Sequence, residues 1–275
     1  MSIESPLRNL NIDLPSCPST LVKMSLLMAE ENTTTEQLAV VIETDMALSA
    51  AVVRTVNSAL FGLLKRVETV HEGIRYLGMA QVAALTYEIG LRGAFPPGPL
   101  MQAIWDKASI RGLAMGRIAR QLDVDPWLAH TIGLFAETGR AVLVAYDAKR
   151  YETLQAPSLT EAELMAAEAE AFGVTHAALG AALCQSWGLA RDVADGVRMR
   201  VLPTEQWSAE RPQLQRLLAI GLAVDQLLLE VLQERPVDAD AVWAALRPVA
   251  DQAGLHFDAF QLATRRVCER LNPMR

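Results

Sequence analysis

The segment Gly133-Leu134-Phe135-Ala136-Glu137-Thr138-Gly139 joins two predicted helices, near 126–135 and 138–150. Glu137 is its single charged residue, and an acid at that place favours the positive N-terminus of the second helix. Ala136 precedes it with a methyl group, which cannot donate an electron pair to a metal ion. Within this segment, Ala136 therefore cannot bind a metal ion, and Glu137 is the one charged side chain that still could.

The composition predicts an all-α protein. The chain has 275 residues, of which 51% are hydrophobic and only 5% aromatic. Its many Ala and Leu residues favour helix, and no convincing alternating strand pattern occurs. The formal net charge of −7 provides no basic field for non-specific nucleic-acid binding, which argues against DNA as a partner.

Cysteine usage and hydropathy predict a cytoplasmic protein. Cys17, Cys184 and Cys268 lie far apart and form neither a disulfide framework nor a Cys-x-x-Cys zinc motif, which fits a reducing compartment. The N-terminus has no apolar run, so we expect no signal peptide. The longest apolar stretch, Leu214 to Leu232, is interrupted by charged residues, so we expect no membrane partner.

Proline and glycine divide the chain into helical parts. Three prolines and two glycines crowd into 93–99, which predicts a linker because neither residue suits a helix interior. We predict an N-terminal lobe at 10–92, a second lobe at 100–203 and a C-terminal helical extension at 204–275. The extension is expected to begin with one continuous helix near 212–234.

Helix capping signals recur in the N-terminal lobe. Thr34 with Gln37 and Thr69 with Glu72 resemble capping boxes, in which each side chain satisfies a free amide of the first turn. Asp45 is expected to cap the helix that follows it.

Motifs in the N-terminal lobe occur in a characteristic order, which is Leu14-Pro15-Ser16-Cys17-Pro18, Ile42-Glu43-Thr44-Asp45-Met46-Ala47-Leu48, Arg54-Thr55-Val56-Asn57-Ser58-Ala59-Leu60-Phe61-Gly62 and Gly73-Ile74-Arg75-Tyr76-Leu77-Gly78. This ordered set is similar to the HDOD domain, the HD-related output domain of bacterial signalling proteins. The resemblance covers residues 10–203 and implies a multi-helix HD-like bundle in two lobes.

The second lobe continues the resemblance, with Trp105-Asp106-Lys107-Ala108-Ser109, Phe172–Gly180 and Trp187-Gly188-Leu189. In HD-type phosphohydrolases, His and Asp side chains hold a metal that makes a bound water nucleophilic. The resemblance places these ligands at 108, 136, 137 and near 199–200, where this chain has Ala108, Ala136, Glu137, Met199 and Arg200. It therefore implies a scaffold without catalytic residues, metal or cofactor.

Two alternatives stay open. A residual metal site built from His130, Glu137 and His176 would make the chain an atypical phosphohydrolase. Arginines would instead bind an anion such as a small nucleotide, although charge runs are usually solvated faces. The candidate groups are Arg191, Arg198 and Arg200 on one predicted helix, and Arg265, Arg266, Arg270 and Arg275 near the C-terminus.

Structural roles compete with functional ones at the remaining signature positions. His176 suits a hydrogen-bonded histidine between helices, and the glycines suit turns. The residues that would line a ligand or partner groove are Asp45, Asn57, Ser58, Gly62, Leu77, Gly78, Trp105, Glu137, Gly139, His176 and Trp187. We expect a non-catalytic signal-transduction protein that binds a signalling partner or a small ligand.

Overall fold

The computed structural model describes residues 12–28, 30, 32–58, 61–154, 159–229 and 238–271. Over these ranges it contains helices and no strand, which confirms the all-α prediction. The α-helices are α1 (Ser19–Met28), α2 (Thr35–Glu43), α3 (Met46–Val56), α4 (Val70–Leu77), α5 (Met79–Gly93), α6 (Pro99–Gln121), α7 (Pro126–Phe135), α8 (Thr138–Glu152), α9 (Glu161–Phe172), α10 (His176–Ser186), α11 (Arg191–Met199), α12 (Pro212–Val224), α13 (Ala239–Gln252) and α14 (Phe257–Leu271).

The chain divides into two compact units. The small unit comprises 15–96 with 186–189, and the large unit comprises the described parts of 1–14, 97–185 and 190–275. Trp187 belongs to the small unit, where its indole Nε1 donates to the carbonyl oxygen of Pro15 at 2.8 Å. The helices after residue 204 belong to the large unit.

Capping and turn residues fix the helices of the small unit. Thr34 and Gln37 form the predicted capping box, and Asp45 accepts the backbone N–H of Leu48 at 3.0 Å. The box predicted at Thr69 is only half formed. Thr69 caps the N–H of Glu72, but the Glu72 carboxylate accepts from Glu68 instead.

The long helix α6 packs closely against α7 in the large unit. A Cβ placed on Gly133 of α7 would lie 2.8 Å from the Cα of Gly112 in α6, so glycine is what permits this approach. Apolar side chains fill the space around α6 and include Ile118, Ile132 and Phe135, none of which is more than 2% exposed. This packing brings the end of α7, and with it Glu137, against α6.

Two helices depart from the sequence prediction. Helix α12 ends at Val224 and continues as a π-helical turn over Asp225–Leu229, so the helix predicted over 212–234 changes its register there. The end of that predicted helix, 230–234, lies outside the described residues. Asp147 has non-helical backbone angles inside α8, and its carboxylate accepts the N–H of Arg150. None of the described helices combines the length and apolar character needed to cross a membrane.

Candidate functional site

Glu137 is a buried acid surrounded by cations. It lies between α7 and α8 at the N-cap position of α8, makes no capping hydrogen bond, and is 1% exposed. Its carboxylate pairs with Arg111, with Lys107 Nζ at 3.4 Å and with Arg140 Nη1 at 3.4 Å, while Arg200 Nη2 lies 3.9 Å away. Glu137 is thus the centre of an ion-pair network, and it also lies at the N-terminus of α8, where an acid is favoured.

Helix geometry explains how these cations converge. Lys107 and Arg111 lie four residues apart on α6 and therefore on one face of that helix. Arg140 lies one turn after Glu137 in α8, and Arg200 follows the last residue of α11. Three helices thus supply positive charge to one carboxylate.

Two further carboxylates complete the cation contacts. Asp225 accepts from Arg111 Nε at 2.7 Å, and its other oxygen lies 3.5 Å from Arg200 Nη1. Both oxygens of Glu161 accept from Arg140 Nη2 at 2.7 Å, and Arg200 Nη2 lies 3.1 Å from Glu161 Oε1. We call the seven residues Lys107, Arg111, Glu137, Arg140, Glu161, Arg200 and Asp225 the charge cluster.

His176 borders the charge cluster and is completely buried. Its Nε2 lies 2.9 Å from Glu161, and its Nδ1 lies 2.7 Å from Glu168. Glu168 also accepts the backbone N–H of His176 and the hydroxyl of Tyr151. His176 therefore has the hydrogen-bonded position between helices that its structural interpretation predicted.

The cations set the protonation of the acids. Burial alone would raise the pKa of Glu137, but the charges of Arg140, Lys107 and Arg111 outweigh it and hold the pKa well below its usual value. Burial would also raise the pKa of Glu161, but a hydrogen bond from His176 and the charges of Arg200 and Arg140 lower it. Both side chains are therefore carboxylates at neutral pH.

The residues at the expected metal-ligand positions do not fit a metal. Ala108 and Ala136 are buried and carry no donor atom, and the carboxylate of Glu137 is already occupied by cations. Each unit charge 4 Å from another interacts by about 4 kcal/mol at an effective dielectric constant near 20, so these cations would repel a divalent ion.

A metal-binding arrangement is not found elsewhere in the described ranges either. No group of three or more His, Cys, Asp and Glu side chains there could hold a metal ion. His130, Glu137 and His176 therefore do not converge into the residual metal site that the sequence left open.

The predicted site residues of the small unit serve its local structure. The Asn57 side chain donates to the carbonyl oxygens of Val53 and Val67 and accepts the N–H of Val67, so it ties the end of α3 to a later loop. Ser58 accepts the N–H of Phe61 through its carbonyl oxygen. The other predicted residues of this unit also have local roles: Asp45 caps α3, Leu77 ends α4, and Gly62 and Gly78 adopt positive φ.

Two predicted residues position the large unit. Trp105 is a buried side chain of α6, 4% exposed. Gly139 lies against α10, where a Cβ would come 2.8 Å from the backbone nitrogen of Gly180. Gly139 thus lets α8 and α10 approach, and Arg140 of α8 and His176 of α10 both contact Glu161.

The three arginines around α11 do not share one surface. Arg191 is 88% exposed and pairs with Asp195, and Arg198 is also exposed. Arg200 is only 9% exposed and belongs to the charge cluster. In the other predicted group, Arg265 lies over the Trp243 ring, and Arg275 falls outside the described residues.

The comparisons with known proteins identify the family. The HDOD domain matches residues 14–201, and the chain therefore belongs to the HDOD family. Charge-cluster residue Asp225 lies beyond the matched range.

Solved structures share the fold. An HDOD domain protein with unknown function from Geobacter sulfurreducens is 19% identical with a TM-score of 0.75, covering 98% of this chain and 93% of that one. A protein from Shewanella amazonensis described as "Putative phosphohydrolase" is 21% identical with a TM-score of 0.73, covering 98% and 100%. A "Putative signal transduction protein" from Marinobacter aquaeolei is 21% identical with a TM-score of 0.68, covering 96% and 64%.

A curated relative extends well beyond the matched part. An uncharacterized protein of Treponema pallidum is 24% identical over 196 residues, which are 68% of this chain and 37% of that protein. This chain thus matches little more than a third of that relative's length.

Proposed function

We propose that this HDOD protein is a non-catalytic regulator in signal transduction, and that it acts in the cytoplasm by binding a protein partner or a small ligand. The observation that carries the proposal is Glu137, whose carboxylate is paired with Arg111 and Arg140 where HD-type phosphohydrolases are expected to have a metal ligand. A carboxylate already paired with guanidinium groups favours a structural role over metal binding.

The names of the structural relatives leave both classes of function open. One neighbour is described as a phosphohydrolase and another as a signal transduction protein, and both are too distant to transfer an activity. The residues of this chain favour regulation, because Ala108, Ala136 and Met199 supply none of the oxygen or nitrogen donors that HD-type chemistry requires.

Hydrolysis assays separate the two classes. We expect the full chain, incubated with bis(p-nitrophenyl) phosphate and Mn²⁺, Fe²⁺ or Mg²⁺, to release no more nitrophenol than buffer does. Glu137→Gln is expected to give the same background. Metal-dependent turnover by the wild-type chain that disappears in Glu137→Gln would establish the atypical phosphohydrolase instead.

A small anionic nucleotide is a second candidate for the bound species. Four buried or half-buried cations in the charge cluster favour it, since guanidinium groups bind phosphate oxygens in a bidentate manner.

A further inference from the structure

Asp225 is held by the charge cluster although it lies outside the family-matched residues 14–201. Arg111 contacts its Oδ1 through both Nε and Nη2 at 2.7 Å, and Arg200 Nη1 lies 3.5 Å from its Oδ2. Two guanidinium groups that converge on one oxyanion form an arrangement suited to phosphate as well as to carboxylate. Asp225 therefore fills a place that an external oxyanion could also fill.

The charge balance favours an oxyanion with two negative charges. Among the described residues, four cations of the cluster contact three carboxylates, so one positive charge is in surplus. The cations are Lys107, Arg111, Arg140 and Arg200, and the carboxylates are Glu137, Glu161 and Asp225. Glu168 contacts the ring of His176, which borders the cluster. It also accepts hydrogen bonds from the Tyr151 hydroxyl and the His176 backbone N–H. A phosphate monoester carries about −1.5 to −2 charges at pH 7, so exchanging Asp225 for one would neutralise the surplus.

Exposure places Asp225 on the solvent side of its partners. Its side chain is 29% exposed, whereas Arg111 is 3% exposed. A cavity of about 10 Å³, with Arg111, Arg200 and Asp225 in its wall, has room for roughly one water, so a larger group enters only if the carboxylate moves away. Asp225 also begins the π-helical turn, a rare geometry that is frequent at functional sites.

We propose that Arg111 and Arg200 form an oxyanion site that Asp225 occupies from within the chain, and that a small phosphate-bearing ligand binds by displacing Asp225. This inference rests on the proposed binding function. In a hydrolytic centre, the charge cluster would instead surround a substrate that is cleaved. Displacement would release the π-helical turn that begins at Asp225, and so couple ligand binding to the C-terminal helices of the large unit.

Calorimetric titration of the full chain with inorganic phosphate at constant ionic strength tests the site. Asp225→Asn removes the competing charge while keeping the side-chain shape, and we expect phosphate to bind about ten-fold more tightly or better, because the site no longer has to be vacated first. The matched control is Asp195→Asn, which removes a 22% exposed carboxylate from a pair with Arg211 in the same unit. Asp195→Asn is expected to leave the phosphate affinity unchanged.

Equal phosphate affinity in the wild type and in a folded Asp225→Asn variant overturns the inference, as does an equal gain in Asp195→Asn. If circular dichroism shows that Asp225→Asn is unfolded, the thermal stability of the wild-type chain tests the site instead. Phosphate must then raise its Tm more than chloride does at the same ionic strength, and Arg200→Gln must abolish that rise; no rise rejects the site. Turnover in the hydrolysis assay would contradict the proposed non-catalytic function. A negative result in the phosphate titration would reject only the oxyanion site.

Discussion

Gly139→Ala is expected to destabilise the large unit by more than about 4 kcal/mol, which is exceptional for a single substitution. The added Cβ would overlap the carbonyl oxygen of His176, lie 2.6 Å from its carbonyl carbon and lie 2.8 Å from the backbone nitrogen of Gly180. All three are backbone atoms, so no side-chain rotation relieves the clash and α8 must separate from α10. Urea unfolding followed by circular dichroism measures the loss.

Gly93→Ala is the matched control for that substitution. Gly93 also lies in a helix, as the last residue of α5, but a Cβ there would meet no atom within 4 Å. Alanine favours helix over glycine by about 0.5–1 kcal/mol, so this variant should be as stable as the wild type or slightly more stable. A Gly139→Ala protein within about 1 kcal/mol of the wild type would refute the close approach of α8 and α10.

Glu137→Ala is expected to lower the free energy of unfolding by about 3–5 kcal/mol, because removing one member of a buried ion pair leaves its partners uncompensated. The partners most affected are Arg111, which is 3% exposed, and Arg140, which is 12% exposed. Glu152→Gln, on the exposed end of the same helix α8, should change stability by less than about 0.5 kcal/mol. A change in the free energy of unfolding as small as this in Glu137→Ala would contradict the role of Glu137 as the centre of the ion-pair network.

The dependence of the free energy of unfolding on acid pH is a second test of the Glu137 ion pairs. The pKa of Glu137 is lower in the folded chain than in the unfolded chain, where a glutamate titrates near roughly 4.3. The unfolded chain therefore takes up the proton first, so the stabilisation is complete above about pH 5.5 and is lost progressively as the pH falls through the unfolded pKa toward the folded one. We expect Glu137→Gln to flatten this acid-side loss of stability, whereas an unchanged acid profile would show that the carboxylate is not paired in solution.

Helix positions could be predicted from the sequence because they depend on local signals. The capping box of Thr34 with Gln37 and the cap at Asp45 involve residues only three apart, and both are found. The half-formed box at Thr69 shows the limit of such signals, because Glu68 offers a competing backbone N–H to Glu72. The changed geometry after Val224 has no local signal that we can identify.

The sequence indicated that donor atoms are absent at expected metal-ligand positions, but it did not indicate which side chains gather there. Ala136 has no atom that could bind a metal ion. The pair of Arg111 with Asp225 joins residues that are 114 positions apart, and no spacing rule links them. In the sequence, Arg200 resembled a surface charge because it stands near Arg191 and Arg198. Only the packing around α11 shows that its side chain is 9% exposed. One signal was available, since Lys107 and Arg111 put two cations on one face of a largely buried helix.

The Glu137 ion-pair network lies where a metal ion would bind in an HD-type phosphohydrolase, and we propose that it takes the place of that metal. Elemental analysis of the purified full chain, followed by titration with Mn²⁺, tests it most directly, because four cations around Glu137 should oppose a divalent ion. We predict only substoichiometric Mn and Fe in the purified protein and no saturable Mn²⁺ binding. Stoichiometric Mn or Fe in the wild-type chain, lost in Glu137→Gln, would show that Glu137 binds a metal and that the ion pairs do not replace one.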